Sequence, residues 1–394
     1  MKVCVYAICK NEEKFIERWY QSIKDADYIC VLDTGSCDNS VSLLKKLGVN
    51  VKEETINPFR FDVARNKALS MVPDDIDICI SLDLDEVIKP NWKEELNRIY
   101  KPEINRVRYL YNWSLDEFDK PIVSFYCDKI HSRNNYKWIN PVHEILKYEK
   151  DNEVYVNSNI VINHYPDSSK SRESYLGLLE LSVKEDPKND RNMHYLGREY
   201  MFYKRWNDAI DTLIKHLHLK SATWKDERCA SMRFIARCYK NLNRFDEAYM
   251  WCDKAIKETP NLRDPYMEKA VIADDLKDYN VVIDCCLNAL KIKEKNLYYI
   301  NEYFNNEVFI YDLLSLAYYY TGNYKQSLKY VDLAIKEDPK KPIFVTTHVP
   351  PSGTMYGSTQ WGNANTTKFL QDYPQVVSFS GHSHFALTDE RSIW

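Results

Sequence analysis

The stretch DICISLDLDEVI, residues 77–88, is an apolar run that ends in three acidic residues. Asp83 and Asp85 alternate with leucines, and Glu86 follows directly. Residues two apart on a strand share a face, so the two aspartates are expected side by side. Neighbouring carboxylates repel unless a cation or proton lies between them, and hard oxygen ligands suit Mg²⁺ or Mn²⁺. The stretch predicts a buried strand with a cation site at its end; the alternative is a solvated strand end with turn-forming aspartates.

Strand and helix patterns alternate on both sides of this stretch, over residues 1–165. VCVYAIC (3–9) and YICVLD (28–33) are apolar runs of strand length, whereas NEEKFIERWYQSIKD (11–25) and FDVARNKALSMV (61–72) have the pattern of helices. Such alternation is typical of a mostly parallel sheet covered by helices. Sheets of this class bind ligands beyond the carboxyl ends of their strands, where Asp33 and Asp83 fall.

Composition excludes several classes of protein. The 394 residues carry a formal net charge of −4 and no large basic run, which argues against nucleic acid as a partner. No apolar stretch approaches the ~20 residues of a membrane span, and the N-terminal apolar run meets a charge too early for a signal peptide. Eleven scattered cysteines without a CxxC pair predict reduced thiols and a cytoplasmic location.

A repeated helical pattern replaces the strands after about residue 170. An aromatic residue precedes a small one by three positions in four places: Trp206 and Ala209, Phe245 and Ala248, Tyr279 and Val282, Tyr324 and Ser327. Two segments close alike, DKAIKETPN (253–261) and DLAIKEDPK (332–340). The pattern resembles tetratricopeptide repeats, with insertions that make the spacing irregular. It predicts an all-α repeat domain, which has a groove suited to peptides.

Three further motifs accompany the D-x-D stretch in a fixed order: CKNEE (9–13), VLDTGSCDNS (31–40) and FDVARNKAL (61–69). Together they resemble family 2 glycosyltransferases of the α/β GT-A fold. The resemblance implies a GT-A domain at residues 1–168, a tetratricopeptide-like domain at 169–340, and a short α/β or irregular tail at 341–394.

The resemblance also implies roles for individual residues. It implies a nucleotide-sugar donor, a UDP-sugar by the family pattern, with a metal ligated by Asp83 and Asp85. A lone arginine and a divalent ion can neutralise a diphosphate in an otherwise acidic protein. His164, in VINHYP (161–166), ends another apolar run and is a further candidate for the metal or phosphate. The residues expected to hold the donor are Asn11, Glu12, Asp33, Thr34, Asp62, Arg65, Asn66 and Asp83.

The segment WINPVHEIL, residues 138–146, resembles the W-x-x-[GP]-x-V-H-E signature of one branch of this family, which includes peptide S-glycosyltransferases, but it is one residue shorter because Val142 directly follows Pro141. Pro141 departs from the commoner glycine. The resemblance implies that His143 or Glu144 lies beside the reacting sugar; the alternative is a satisfied loop histidine. Glu144 and Glu86 are both candidates for the catalytic base, and Glu144 is favoured because Glu86 is adjacent to the metal site.

The last 54 residues carry a different metal-ligand pattern. THVPP (347–351) and SGHSHF (380–385) resemble the final two blocks of calcineurin-like metallophosphoesterases, with His348, His382 and His384 as ligands. The upstream blocks D-x-H, G-D-x-x-D and G-N-H-[DE] are absent from the sequence. A hydrolase needs a complete set of ligands, so the tail is interpreted as a fragment without phosphoesterase activity.

The sequence therefore predicts an inverting, Mn²⁺- or Mg²⁺-dependent transfer of a sugar from a UDP-sugar. The repeat domain is expected to hold a peptide or protein acceptor, or to form a homodimer. One alternative is a non-catalytic repeat scaffold that retains a sugar-nucleotide-binding domain; the intact acidic and arginine motifs argue against it. A metallophosphoesterase is the weaker alternative.

Overall fold

The computed structural model describes residues 1–167, 173–293 and 297–337, together with the backbone of three short strands at 343–347, 376–380 and 392–393. The first region contains ten strands: β1 Val3–Cys9, β2 Tyr28–Asp33, β3 Asn50–Glu53, β4 Ile78–Ser81, β5 Glu86–Ile88, β6 Arg106–Leu115, β7 Pro121–Ser132, β8 Tyr136–Ile139, β9 Ile145–Tyr148 and β10 Tyr155–His164. Its helices are α1 Ile16–Ile23, α2 Ser40–Lys46, α3 Phe61–Ser70 and α4 Trp92–Ile99.

Eight of these strands form one sheet, in the order β3-β2-β1-β4-β7-β6-β10-β5. The run from β3 to β4 is parallel throughout, as is the pair β6–β10. The strands β7 and β5 run antiparallel to their neighbours. β8 and β9 form a separate antiparallel pair. The mostly parallel α/β fold predicted from the sequence is confirmed. The antiparallel strands lie on the side of the sheet beyond β4.

The central strand β1 is buried on both faces, which explains its uninterrupted apolar sequence. Val3, Val5 and Ala7 belong to a core with α1, whereas Cys4 and Tyr6 belong to a second core. Successive side chains of a strand point to opposite faces, so one strand contributes to both layers.

Two helices are fixed to the strands that carry the acidic residues. Helix α1 buries Ile16, Trp19 and Ile23 at helical spacing, and the Trp19 indole donates to the carbonyl of Leu82 at 3.2 Å. Helix α3 packs Ala64 into the opposite core. Small residues at this position allow the helix to approach the sheet closely, which brings its polar residues to the carboxyl ends of the strands.

The second region is helical, as the repeat pattern predicts. Each of the four aromatic residues of that pattern is the first residue of a helix. The small partners Ala209, Ala248 and Val282 are fully buried. The helices are α5 Glu173–Glu185, α6 Asp190–Phe202, α7 Trp206–His218, α8 Lys225–Asn241, α9 Phe245–Glu258, α10 Asp264–Asp275, α11 Tyr279–Lys291, α12 Glu307–Tyr320 and α13 Tyr324–Glu337, with a 3-10 turn at Tyr303–Asn305.

The chain divides into two compact units. Residues 1–272 and 287–305 form the first, and residues 273–286 and 306–394 form the second. The first unit spans the predicted boundary between residues 168 and 169, and the predicted domain limits stay predictions. Within the second unit, the strands β11 Ile343–Thr347, β12 Val376–Ser380 and β13 Ser392–Ile393 pair in parallel.

Candidate active site

Arg65 and Asp83 form the centre of the site. Both nitrogens of the Arg65 guanidinium fork donate to the Asp83 carboxylate, Nη1 to Oδ1 at 2.8 Å and Nη2 to Oδ2 at 2.9 Å. The Arg65 side chain is only 6% exposed. Although burial favours the neutral acid, the charges of Arg65 and Lys129 hold the pKa of Asp83 well below its usual range. Asp83 is therefore an ionised carboxylate whose two oxygens are already engaged.

Lys129, on β7, is a half-buried cation that sequence reasoning missed. Its amine lies 3.4 Å from Oδ2 of Asp83 and 3.6 Å from Oε1 of Glu86. Burial raises the pKa of Glu86 above its usual value, against the opposing charge of Lys129. Oε2 of Glu86 accepts the backbone N–H of Asp83 at 3.0 Å. Glu86 thus supports the turn after β4 from inside the protein.

Glu144 reaches the same arginine from the loop between β8 and β9. The Nε of Arg65 donates to its Oε1, and the Glu144 side chain is 10% exposed. In the described part of the chain, Oε2 of Glu144 accepts no hydrogen bond. One oxygen is therefore held in place and the other is available to a substrate.

Asn66 is one reason that this loop lies beside α3. Its side chain accepts from the backbone N–H of Trp138 at 2.9 Å and donates to the carbonyl of the same residue at 2.8 Å. The N–H of Phe61 donates to the carbonyl of Pro141 at 2.9 Å. Asn66, expected among the donor contacts, is thus engaged with the backbone of β8.

Asp85 and His164 lie together at the open edge of the site. Their Oδ2 and Nε2 atoms are 3.4 Å apart, and the Asp85 side chain is 27% exposed. The Nδ1 of His164 bonds to the carbonyl of Trp113 at 2.9 Å, which orients the ring. A carboxylate and an oriented imidazole fit a divalent ion that takes its remaining ligands from water and substrate phosphates. Asp83, expected as a second ligand, has both oxygens engaged with Arg65.

Asp33 organises a second set of residues where β1 and β2 end. Its Oδ2 accepts the backbone N–H groups of Gly35 and Ser36 at 3.0 and 2.9 Å, and the Ser36 hydroxyl donates to Oδ1. That hydroxyl also accepts the N–H of Asn11 at 2.8 Å. Asn11 has a left-handed φ of 55°, and its Oδ1 accepts the N–H of Cys37 at 2.8 Å. The loops that follow β1 and β2 are therefore joined to each other.

The remaining expected donor contacts have partners within the fold. The Thr34 hydroxyl donates to the carbonyl of Cys9 at 3.0 Å, and the Ser40 hydroxyl accepts the N–H of Glu12 at 2.8 Å. Asp62 pairs with Arg60 at 2.9 Å in the first turn of α3. These contacts shape the loops that surround the Asp33 and Arg65 clusters.

His143 lies next to Glu144 but faces the repeat helices. Its ring stacks on Tyr195 of α6, with centroids 3.9 Å apart and planes 9° apart. The backbone of His143 has a left-handed φ of 49°, so the chain turns sharply between these two neighbours. The sequence did not single out Tyr195 among the aromatic residues of 191–206, because nothing in its local pattern distinguishes it from a core aromatic.

A different cluster of metal-ligand type lies in the repeat helices. Within the described ranges, Asp190, His216 and Glu227 form the group of three whose ligand atoms lie within 4.8 Å of one another. Glu227 also accepts from the hydroxyl of Tyr299. The aspartates of the D-x-D stretch and His164 do not form such a group in the described residues.

Two family models match parts of this chain. Residues 4–156 match the model of glycosyl transferase family 2, and residues 234–262 and 310–341 match a tetratricopeptide repeat. The N-terminal region is a family 2 glycosyltransferase domain, and tetratricopeptide-like repeats follow it. Members of this family generally use a nucleotide-sugar donor and a divalent metal.

Solved structures show only weak overall similarity. They include the crystal structure of MamA (20% identity, covering 43% of this chain and 83% of that one, TM-score 0.34). PilF of Pseudomonas aeruginosa also matches, with 12% identity, coverage of 41% of this chain and 67% of that one, and a TM-score of 0.32. BtubC from P. vanneervenii matches with 13% identity, coverage of 42% of this chain and 72% of that one, and a TM-score of 0.35. No curated protein matches the chain.

Two further sequence predictions concern membrane-spanning helices and the histidines of the tail. None of the helices in the described ranges has both the length and the hydropathy of a membrane span. The tail histidines His348, His382 and His384 lie outside the described residues. The resemblance of the tail to a metallophosphoesterase has no support among the matching families.

Proposed function

We propose that the protein is a metal-dependent, inverting glycosyltransferase that moves a sugar from a nucleoside diphosphate, UDP, to a peptide or protein acceptor. The observation that carries the proposal is the linked set Asp83–Arg65–Glu144, with Asp85 and His164 at its open edge. This set lies beyond the carboxyl end of β4, in the region where sheets of this class bind ligands.

The donor fits at the carboxyl ends of β1, β2 and β4. Asp33 and Asn11 shape the loop that would accept the nucleoside, and Asp85 with His164 would hold a divalent ion beside the diphosphate. When bound, such an ion supplies positive charge to the leaving diphosphate. Asp83 fixes Arg65 at this edge, and Arg65 in turn fixes Glu144.

Glu144 is the base in this proposal. Its Oε2 takes the proton from the acceptor's hydroxyl or thiol as that atom bonds to the anomeric carbon. The bond from the anomeric carbon to the diphosphate oxygen breaks at the same time, and the diphosphate leaves with the electron pair. Attack and departure on opposite faces invert the configuration.

The alternative base, Glu86, is less suited by its surroundings. Its side chain is 2% exposed, lies near Lys129, and accepts a backbone N–H within its own turn. A group that must meet an acceptor needs an open oxygen, which Glu144 has. We therefore assign Glu86 to support of the Asp83–Asp85 turn.

Binding of UDP with Mn²⁺ to the wild type and to Asp85→Asn tests the proposal. We expect calorimetry to show Mn²⁺-dependent UDP binding in the wild type and a loss of at least tenfold in the variant. Asp119→Asn, at an exposed turn residue with a φ of 60°, is a control with the same charge change. Equal binding by wild type and Asp85→Asn at saturating Mn²⁺ contradicts the assignment, as does absence of any UDP-sugar turnover.

A further inference from the structure

Helix α6 carries a stripe of charged and aromatic residues beside the Glu144 loop. Arg191, Tyr195 and Arg198 lie four and three positions apart, so they share one face of the helix. The guanidinium carbon of Arg198 lies 4.5 Å from the centre of the Tyr195 ring, and that of Arg191 lies 5.0 Å from it. His143 stacks on the same ring. The stripe therefore adjoins the residue next to the proposed base.

The two arginines of this stripe lack the partners that arginines in this protein usually have. Within residues 1–167, 173–293 and 297–337, neither guanidinium makes a hydrogen bond or an ion pair, and the Nε of each is buried without an acceptor. Other half-buried arginines are paired: Arg228 bonds to Glu258 at 2.6 Å, and Arg237 pairs with Glu268. Leaving a buried charged donor unsatisfied costs free energy that a bound anion would restore.

Aromatic side chains extend the stripe. The Arg191 guanidinium lies 4.8 Å from the centre of the Tyr299 ring, and Tyr299 is 5.7 Å from Trp224. Trp224 and Tyr298 are 36% and 38% exposed and pack edge to face. Unpaired cations, with exposed rings that connect to them through Tyr299, suit a chain that presents carboxylates and apolar groups together, more than they suit an isolated phosphate.

We propose that Arg191 and Arg198 bind acidic side chains of a peptide acceptor and so place its reacting residue beside Glu144. The inference rests on the proposed glycosyltransferase function, to which it adds the chemistry of the acceptor. The stripe lies on the repeat helices, whereas Asp33, Arg65 and Asp85 form the proposed donor side. This separation favours the acceptor over the donor's diphosphate as the source of the anion.

Fluorescence anisotropy with a labelled poly-L-glutamate peptide and a Gly–Ser peptide of equal length tests the proposal on the full chain. We expect the acidic peptide to bind in a salt-sensitive manner and the neutral peptide not to bind. Arg198→Gln should weaken binding about tenfold, and the double variant Arg191→Gln/Arg198→Gln about a hundredfold, because charge-assisted hydrogen bonds are lost. Arg198→Lys should bind the acidic peptide more tightly than Arg198→Gln but less tightly than the wild type, since lysine keeps the charge and lacks the bidentate fork.

Arg205→Gln is the matched control. Arg205 is 44% exposed, is paired with Asp208 at 2.7 Å and directly precedes α7, so its replacement makes the same charge change outside the stripe. It should bind the acidic peptide as the wild type does. An equal loss of poly-L-glutamate affinity in Arg205→Gln and in the stripe variants would overturn the proposal. Poly-L-glutamate binding that no stripe variant weakens would overturn it as well.

UDP and Mn²⁺ binding separates this inference from the proposed function. We expect the double variant Arg191→Gln/Arg198→Gln to bind UDP as the wild type does. If the two arginines instead bound the donor's diphosphate, the double variant would lose UDP affinity. That result would overturn the acceptor assignment. A wild type that binds no UDP counts against the proposed function alone, because the peptide measurement needs no nucleotide.

Discussion

At the scale of single residues, the site depends on how one arginine divides its hydrogen bonds. Arg65 gives its fork to Asp83 and its Nε to Glu144, and the Trp138 ring lies 5.1 Å from its guanidinium carbon. A bidentate pair fixes direction as well as charge, which a lysine cannot do. Arg65 is therefore a positioning residue whose geometry decides where the proposed base lies.

Glu144→Gln tests that base. The amide keeps the size of the side chain but cannot take a proton, so we expect transfer to fall by about 10²–10⁴-fold while UDP affinity is retained. Initial rates of UDP release with acceptor, together with calorimetry, measure the two effects. Glu149→Gln, in the exposed turn after β9, should leave both unchanged. Transfer at the wild-type rate by Glu144→Gln would assign the base elsewhere.

At the scale of elements, close contact between α6 and α7 depends on one glycine. A Cβ added to Gly197 would lie 2.5 Å from Cγ of Leu213, which is fully buried. The lack of a side chain at Gly197 allows α6 and α7 to approach closely. It also holds the face of α6 that carries Tyr195 in a fixed orientation.

Gly197→Ala should therefore destabilise the protein by about 1–3 kcal/mol through overpacking. Gly177→Ala in α5 is the matched control, because nothing lies within 4 Å of its added Cβ. Alanine is the better helix former by about 1 kcal/mol, so Gly177→Ala should be neutral or stabilising. Denaturant unfolding measures both; equal stability of the two variants would contradict the packing argument.

Strand β7 contains a buried histidine that must stay neutral. His131 Nδ1 bonds to the carbonyl of Ser132 at 2.8 Å, so its Nε2 accepts from the Tyr6 hydroxyl at 2.9 Å. Burial lowers the pKa of His131 to about 3. The unfolded chain, with an ordinary histidine, binds a proton more readily, so the stability that this group contributes is present above pH 6.5 and is lost as the pH falls toward 3.

This difference predicts a measurable pH dependence. Between pH 7 and pH 5, protonation of unfolded His131 should cost about 2 kcal/mol of stability. In His131→Gln, which keeps an acceptor for Tyr6, the melting temperature should fall less over this range than in the wild type. His218→Gln, at an exposed position of α7, should show the wild-type slope. A slope in His131→Gln as steep as that of the wild type would contradict the prediction.

At the scale of the whole molecule, the residues of the proposed site and the first repeat helices occur together in the first compact unit. The stack of His143 on Tyr195 and the pairing of Arg60 with Glu185 at 2.6 Å connect the two regions. Under the proposed function, such contacts would place an acceptor bound by the repeats beside the proposed site on the sheet. The repeats are thus proposed to act in substrate placement.

A chain that ends at residue 340 tests the role of the tail. The family matches end at 341, and the proposed site uses no residue beyond Tyr299. We expect the shortened chain to bind UDP with Mn²⁺ and to turn over UDP-sugar as the full chain does. Neither form should hydrolyse p-nitrophenyl phosphate. Loss of UDP turnover on shortening, or phosphatase activity in the full chain only, would show that the tail contributes chemistry.

The sequence alone determined the order of strands and helices, the repeats, and the acidic residues at the ends of the strands. These features follow from local periodicity, because burial of one face or both imposes its spacing on a short segment. The observed sheet confirms the predicted fold class, and the match over residues 4–156 confirms the family resemblance.

Only the tertiary structure decided which charged groups meet. Arg65 and Glu144 are 79 positions apart, and Lys129 and Asp83 are 46 apart, so no local pattern links them. The same holds for Tyr195, which meets His143 across the two regions, and for the unpaired arginines of α6. A side chain's partners depend on the crossing of distant segments, and burial then makes each pairing, or its absence, energetically decisive.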